Sequence, residues 1–378
     1  MSIEFARSER STLGLEWELA LVDRHTGDLV PAAPEVLAQV PNQADDGSDR
    51  LTTELLTNTV EIVSGVHRTV ADGVADLQRS IDRIREVTDP LGVEAVCSGT
   101  HPFARWEDQE VTAKERYVTL IDRTQWWGRQ LLIWGVHMHV GIDDPRKALP
   151  ILGALLAYYP HLQALSASSP FVNGDATGYA SSRAMLFQQL PTAGLPPALD
   201  SWQDYERIAD DLIRVGVIDH WDEIRWDIRP SPKWGTVENR VCDGLPTTLE
   251  VGAVASLVQC LVDDFSERLD SGETLPSMQP WYVRENKFRA ARYGMDATVI
   301  LNREGNQRHV EEDLRDLVAR LEPVAARLGC AQQLQDVLRI VDTGASYERQ
   351  LLASAAAGGD LRAVVHSLIR ELREGFPA

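Results

Sequence analysis

Three short segments set ionisable side chains at a spacing that would aim them together. In Gly14-Leu15-Glu16-Trp17-Glu18-Leu19 two carboxylates interrupt an otherwise apolar run, and side chains at i and i+2 of a strand point to one face. Carboxylates held that close repel and raise each other's pKa unless a cation lies between them, which points to a hard divalent ion. Solvated strand faces carry the same pattern when it stands alone. In Trp134-Gly135-Val136-His137-Met138-His139 both imidazoles again share a face. They can ligate a metal or grip an anion, or they can be an ordinary pair of core histidines. In Gly235-Thr236-Val237-Glu238-Asn239-Arg240 a carboxylate stands beside a guanidinium. Glu238 offers a metal ligand and Arg240 a bidentate partner for a phosphoryl or carboxylate group, although structural ion pairs use this spacing too.

Other segments add weaker signals. Glu54 and Glu61 lie within LTTELLTNTVEIVSG, and they would suit Mg²⁺ or Mn²⁺, which prefer carboxylates and tolerate an imidazole, better than zinc. Arg225 and Arg229 add positive charge near the third segment. In ENKFRAARYG, Lys287, Arg289 and Arg292 cannot all lie on one helix face, but Arg289 and Arg292 at i, i+3 can. Those two could reach polyphosphate, or simply cap a solvated helix end. The chain contains no phosphate-binding glycine loop, dinucleotide fingerprint, G-x-S-x-G elbow or HExxH. Any use of ATP must therefore rest on metal and arginines.

The elements that would carry these groups follow from periodicity. Apolar, β-branched runs at residues 13–22, 59–63, 93–97, 134–142, 223–228 and 236–241 read as strands. Val70, Val74, Leu77, Ile81 and Ile84 have helical spacing up to the stop Asp89-Pro90, a helix of about five turns. Helical patterns also cover residues 147–165, 202–215, 248–269 and 284–292, and the region of about 305–378 reads as wholly helical. Residues 166–183, rich in Ser, Gly, Asn and Asp, form a long loop and a candidate lid. Gly194 to Pro197 is a second break, but no repeat or composition shift forces a boundary, so residues 1–378 are read as one catalytic domain.

Composition narrows the function classes. With 57 acidic against 37 basic residues the formal charge is −20, which disfavours tracking nucleic-acid phosphates or adhering to an anionic membrane. Cys97, Cys242, Cys260 and Cys330 show no CxxC spacing, so neither a zinc site nor a disulfide framework is expected and a reducing cytoplasm fits. Residues 1–10 carry charges without an apolar core, and the apolar stretch 151–159 is too short to cross a bilayer. Neither a signal peptide nor an anchor is expected.

Taken together, GLEWELALVD, TELLTNTVEIVSG, GVHMHVGI, SPFVNGDATGYASSR, RPSPKWGTVENRVCD and ENKFRAARYGMDA resemble, in order and over nearly the whole chain, the carboxylate–amine ligases called glutamate–cysteine ligase type 2, related in fold to glutamine synthetase. The resemblance implies an α+β fold: a curved, mainly antiparallel sheet forming a funnel, with helices outside and carboxylates lining the interior. It implies that Glu16, Glu18, Glu54, Glu61, His137 and Glu238 bind Mg²⁺ or Mn²⁺ on ATP phosphates. Arg240 would steady the transferring phosphoryl group, with Glu61 sharing the catalytic work. Arg183, His139, Arg229, Arg289 and Arg292 would contact nucleotide or substrate. The implied partners are ATP, a glutamate-like carboxylate and a small amine such as cysteine, in an enzyme for which a homodimer is allowed. The implied reaction passes through an acyl phosphate. A metal-dependent amidohydrolase using the same cluster to activate water is the alternative.

Overall fold

The computed structural model describes residues 2–40 and 50–377, so part of the 1–378 span read as one domain lies outside the described residues. The strands are β1 (Leu13–Asp23), β2 (Arg50–Thr53), β3 (Thr59–Val63), β4 (Val93–Val96), β5 (Gly135–Gly141), β6 (Phe171–Val172), β7 (Asp175–Ala176), β8 (Ile228–Ser231), β9 (Thr236–Asp243), β10 (Thr298–Ile300) and β11 (Gln307–His309). The first half of the chain supplies α1 (Ala33–Gln39), α2 (Val70–Leu91), α3 (Glu115–Arg129), α4 (Pro145–Leu155), α5 (Tyr159–Ser166), α6 (Ser182–Phe187) and α7 (Trp202–Arg214). The second half supplies α8 (Thr248–Asp270), α9 (Pro280–Tyr293), α10 (Val310–Leu328), α11 (Ala331–Thr343), α12 (Ser346–Ala356) and α13 (Leu361–Glu374).

The fold is α+β, as the resemblance implies. Its main sheet runs β2-β3-β1-β5-β9-β8, with β4 paired to the far end of β1, and every pairing is antiparallel. The sheet does not close on itself, and the short pairs β6-β7 and β10-β11 stand apart from it. In β1, Leu13, Leu15, Trp17, Leu19 and Leu21 are buried on one face while Glu16 and Glu18 are half-buried on the other, the alternation of a strand with one face in the core. Trp17 is fully buried, and its indole donates to the Leu245 carbonyl (3.1 Å). Beneath that face lies α8, whose sequence is apolar almost all round; such a helix must be enclosed, and α2, α4, α10 and α11 pack against it.

Several expectations shift in register. The helix over 70–84 runs through Pro90 to Leu91 and stops at Gly92, whose φ of 70° allows its N–H to reach back to Asp89. The 147–165 pattern is broken by a tight turn at Leu156–Tyr158 before Pro160, which lacks an N–H to continue the ladder. Together the pieces form an apolar run Pro145–Ser166 of 22 residues, longer than the stretch read from sequence, and 78% of its most apolar window is buried inside the protein. The strand expected over 223–228 starts only at Ile228, because the Glu223 carboxylate accepts from the Asp219 and His220 N–H groups (2.7 and 3.0 Å) and holds a turn there. The region after 305 is not wholly helical: Gln307–His309 pairs with Thr298–Ile300 before four helices begin at Val310.

Candidate active site

Strand pairing builds the site. Glu18 lies directly across from Glu61 on β3, Glu16 from His137 on β5, and His139 from Glu238 on β9, which itself faces Arg229 on β8. Between Val136 and Met138 the β5-β9 register slips by one residue. A bulge of this kind re-aims side chains, and Arg240 turns inward to pair with Glu238, its Nη1 lying 3.4 Å from His137 Nδ1.

Two groups of ligand atoms result, Glu16 with His137 and Glu238, and Glu18 with Glu61 and His137. Within each, one donor atom per residue lies within 4.8 Å of the others, and His137 belongs to both. The two groups differ in charge. Glu238 is buried between Arg229 (2.6 Å) and Arg240; burial pushes its carboxyl up, but the two guanidinium groups and His139 outweigh that and hold it well below the usual range. Burial likewise opposes Glu16, yet hydrogen bonds from His137 (3.0 Å) and His139 (3.3 Å) keep it low. Burial, then Arg240, depress His137 to about 4 despite Glu16, leaving a neutral imidazole free to ligate.

In the second group the pull of Arg183 and Arg240 is outweighed. Burial and then Glu54 push Glu18 up to about 7, and burial with Glu54, Glu16 and Glu18 pushes Glu61 well above its usual value. Glu54 is raised chiefly by burial, although its carboxylate accepts from the Leu55 N–H (3.1 Å). Buried carboxylates without cations cost several kcal/mol each unless something neutralises them. An all-oxygen set with one imidazole fits Mg²⁺ or Mn²⁺ rather than zinc.

Beside these carboxylates sit two arginines with spare donors. Arg183 is buried, has no carboxylate within ion-pairing distance among the described residues, and leaves Nε without a partner; Arg240 leaves its Nε likewise. Both guanidinium groups lie over the Phe187 ring, at 5.5 and 5.9 Å. Arg183 also needs Gly135 beneath it, since a Cβ there would fall 2.3 Å from Nη2. Unspent donors in an acidic pocket suit an oxyanion. From here a cavity of about 630 Å³ opens past α3 and residues 217–225.

A profile of glutamate–cysteine ligase family 2 matches residues 12–367. The chain belongs to that family, a group of ATP-dependent ligases. It is 60% identical over 99% of both chains to a protein of Leifsonia xyli subsp. xyli assigned by name to glutamate–cysteine ligase 2. A relative from Mycobacterium ulcerans with the same assignment is 54% identical over 98% of this chain and 93% of its own. The fold matches a glutamate–cysteine ligase of Francisella tularensis, solved with AMP, with a TM-score of 0.67 over 98% of this chain and 89% of that one, at 14% identity.

Among the site residues expected from sequence, the structure brings together Glu16, Glu18, Glu54, Glu61, His137, His139, Arg183, Arg229, Glu238 and Arg240. It takes Arg289 and Arg292 elsewhere. Arg289 is spent on Glu285 (2.8 Å), Gln307 (2.7 Å) and the Thr298 carbonyl (3.0 Å), and Arg292 on the Gly178 carbonyl and the Tyr179 and Tyr293 rings. Neither borders the cavity. Lys287, on the inner face of α9, is buried against Asp227 (2.6 Å), while the Arg240 N–H bonds the Asp227 carbonyl (2.8 Å).

The segment 166–183, read from sequence as a candidate lid, is tied to the sheet near both of its ends. Asp243 ties the Ser168 N–H and the Ser169 and Ser181 hydroxyls at 3.1, 2.6 and 2.8 Å, all buried. Those ends brace Arg183, whose N–H donates to the Ser169 hydroxyl (3.0 Å). Sequence reading missed the α3 wall, where Arg116, Tyr117 and Leu120 border the cavity. The helical spacing of Tyr117, Leu120, Ile121 and Thr124 was the available signal.

Proposed function

We propose that this chain uses ATP to join the side-chain carboxylate of glutamate to a small amine such as cysteine. The reading rests on one observation above the others: two carboxylate groups share His137, and Arg240 stands beside them with donors to spare. Glu16, His137 and Glu238 would hold one divalent ion, and Glu18 and Glu61 a second, with Glu54 nearby. Bound Mg²⁺ or Mn²⁺ would neutralise β- and γ-phosphate oxygens.

The chain's own residues do the rest. Glu238 stays ionised between Arg229 and Arg240 and fixes the Arg240 guanidinium, which then faces the oxygens of the transferring phosphoryl group without reorganising. Arg183 supplies a second preset cation over Phe187. The carboxylate oxygen of the donor attacks the γ-phosphorus and ADP leaves. The amine lone pair then attacks the acyl carbon, the C–O bond to phosphate breaks, and phosphate and a proton depart. Amide formation from a free carboxylate is uphill in water, and the buried walls protect the acyl phosphate from hydrolysis. A cytoplasmic location belongs to this reading, supported by four buried free cysteines.

The test supplies ATP, Mg²⁺, L-glutamate labelled with heavy oxygen in its γ-carboxylate, and L-cysteine. ADP should appear only when all are present, and one labelled oxygen should pass to the released phosphate. Amide hydrolysis without nucleotide, or phosphate free of label, would overturn the proposal in favour of metal-activated water.

A further inference from the structure

The cavity contains a cation that the site described above leaves unused. Arg225 borders it from the turn before β8, half-buried, and among the described residues its guanidinium makes one hydrogen bond, from Nη1 to the Glu223 carbonyl (2.9 Å). The nearest acids are already engaged. The Glu223 carboxylate accepts from the Asp219 and His220 N–H groups, and Asp222 pairs with His220 at 2.8 Å. Burial lowers the Arg225 pKa, with Arg240 and Arg229 adding repulsion against the pull of Glu223. A half-buried guanidinium without a paired acid is stabilised by an anion that enters.

Acids and other arginines line part of this cavity, and one stretch of its wall is hydrocarbon. Leu131, Phe187 and Leu190 form a small buried cluster with Leu55, Leu120 and Ile133 packed against it, and all six border the cavity. A guanidinium with donors to spare beside such a wall suits a molecule with a carboxylate and a side chain of low polarity. Glutamate as donor carries a second anionic group, and Arg183 and Arg240 already face the end where its carboxylate must be activated.

Building on the ligase reading, we propose that this cavity seats the acceptor as an α-amino acid, with Arg225 gripping its carboxylate and the Leu131, Phe187 and Leu190 wall covering its side chain. The amine is thereby turned toward Arg240. The acceptor class is then amino acids with apolar or weakly polar side chains, not amines in general.

The test keeps L-glutamate as donor and compares L-leucine and L-cysteine with isoamylamine and cysteamine, the same molecules without the carboxylate. Wild-type enzyme should favour the carboxylated acceptors. Arg225→Met should raise their KM about 10- to 100-fold, the loss of a charge-assisted bond, while the KM values of glutamate, ATP and the decarboxylated amines stay put. Arg225→Lys should recover part of the loss. An unchanged preference in Arg225→Met overturns the proposal, as does a rise in the glutamate KM in place of the acceptor's. Titrating L-leucine and L-cysteine into the Mg-ADP enzyme, followed by tryptophan fluorescence, reads the site without turnover. Binding lost in Arg225→Met supports the proposal and no binding of either amino acid overturns it, whereas intact binding without acceptor-dependent ADP counts against the ligase reading alone.

Discussion

Adding Mn²⁺ to metal-free enzyme should expel protons, and the number expelled should fall as pH rises. Glu18, pushed to about 7 by burial and by Glu54, is about 0.9 protonated at pH 6 and about 0.1 protonated at pH 8. A cation binds the carboxylate and not the acid, so Glu18 alone makes proton release drop by about 0.8 per site between those pH values. Glu61, raised well above its usual value, adds to the release. Below pH 7 the apparent Kd should tighten about tenfold per pH unit from Glu18 alone, and more with Glu61. The sign for stability runs the opposite way. A carboxyl whose folded pKa is raised stabilises the metal-free fold below its ordinary value, and that contribution is lost as pH climbs through about 7, a difference of about 3 kcal/mol for Glu18. Titration calorimetry in buffers of different ionisation enthalpy counts the protons, and the Glu18→Gln variant should lose about 0.8 proton of the change between pH 6 and 8. Release that does not vary with pH, or that is unchanged in the variant, would refute the geometry assigned to the second carboxylate group.

Three further outcomes follow from the same contacts. Arg240→Met should lower kcat for ADP formation by about 10²- to 10³-fold, as the loss of a preset donor to a developing charge does, with far-UV dichroism unchanged; activity within a few-fold of wild type would remove Arg240 from the chemistry. Gly135→Ala should displace Arg183, because the new Cβ would fall 2.3 Å from Nη2, and cut kcat/KM by at least about tenfold. That substitution should leave Mn²⁺ affinity near wild type, so parallel loss of both would point to a damaged β5. Lys287→Met should strand Asp227, buried at 3% side-chain exposure, and cost about 3–5 kcal/mol, read as a lower thermal midpoint, with Lys287→Met/Asp227→Asn recovering part; a midpoint equal to wild type would show the pair to be dispensable.

Much of the site is legible in the order of the residues alone. Glu16 and Glu18, His137 and His139, and Glu238 and Arg240 had to share faces because strand side chains repeat every two residues, and each pair does. The apolar, helical spacing of residues 248–269 likewise demanded an enclosed helix, and α8 is one. Local periodicity dictates which way a side chain points from its own strand, and it says nothing about which strand lies alongside.

Pairing and packing were decided only by the tertiary fold. Antiparallel register set Glu18 opposite Glu61 and His139 opposite Glu238, choices made between segments tens of residues apart by burial of the apolar face. The slip in β9 that brings Arg240 to His137 depends on its neighbours and has no local signature. The polar segment 166–183 reads as a free loop until Asp243 arrives from a distant strand to bind its serines. Arg289 and Arg292 read as phosphate contacts for a matching reason: a guanidinium goes to whatever acceptor the fold sets within reach, and here those are Glu285, Gln307 and the carbonyls of Thr298 and Gly178. Sequence determined which groups this protein could offer to a metal or an oxyanion, and long-range packing determined which of them meet.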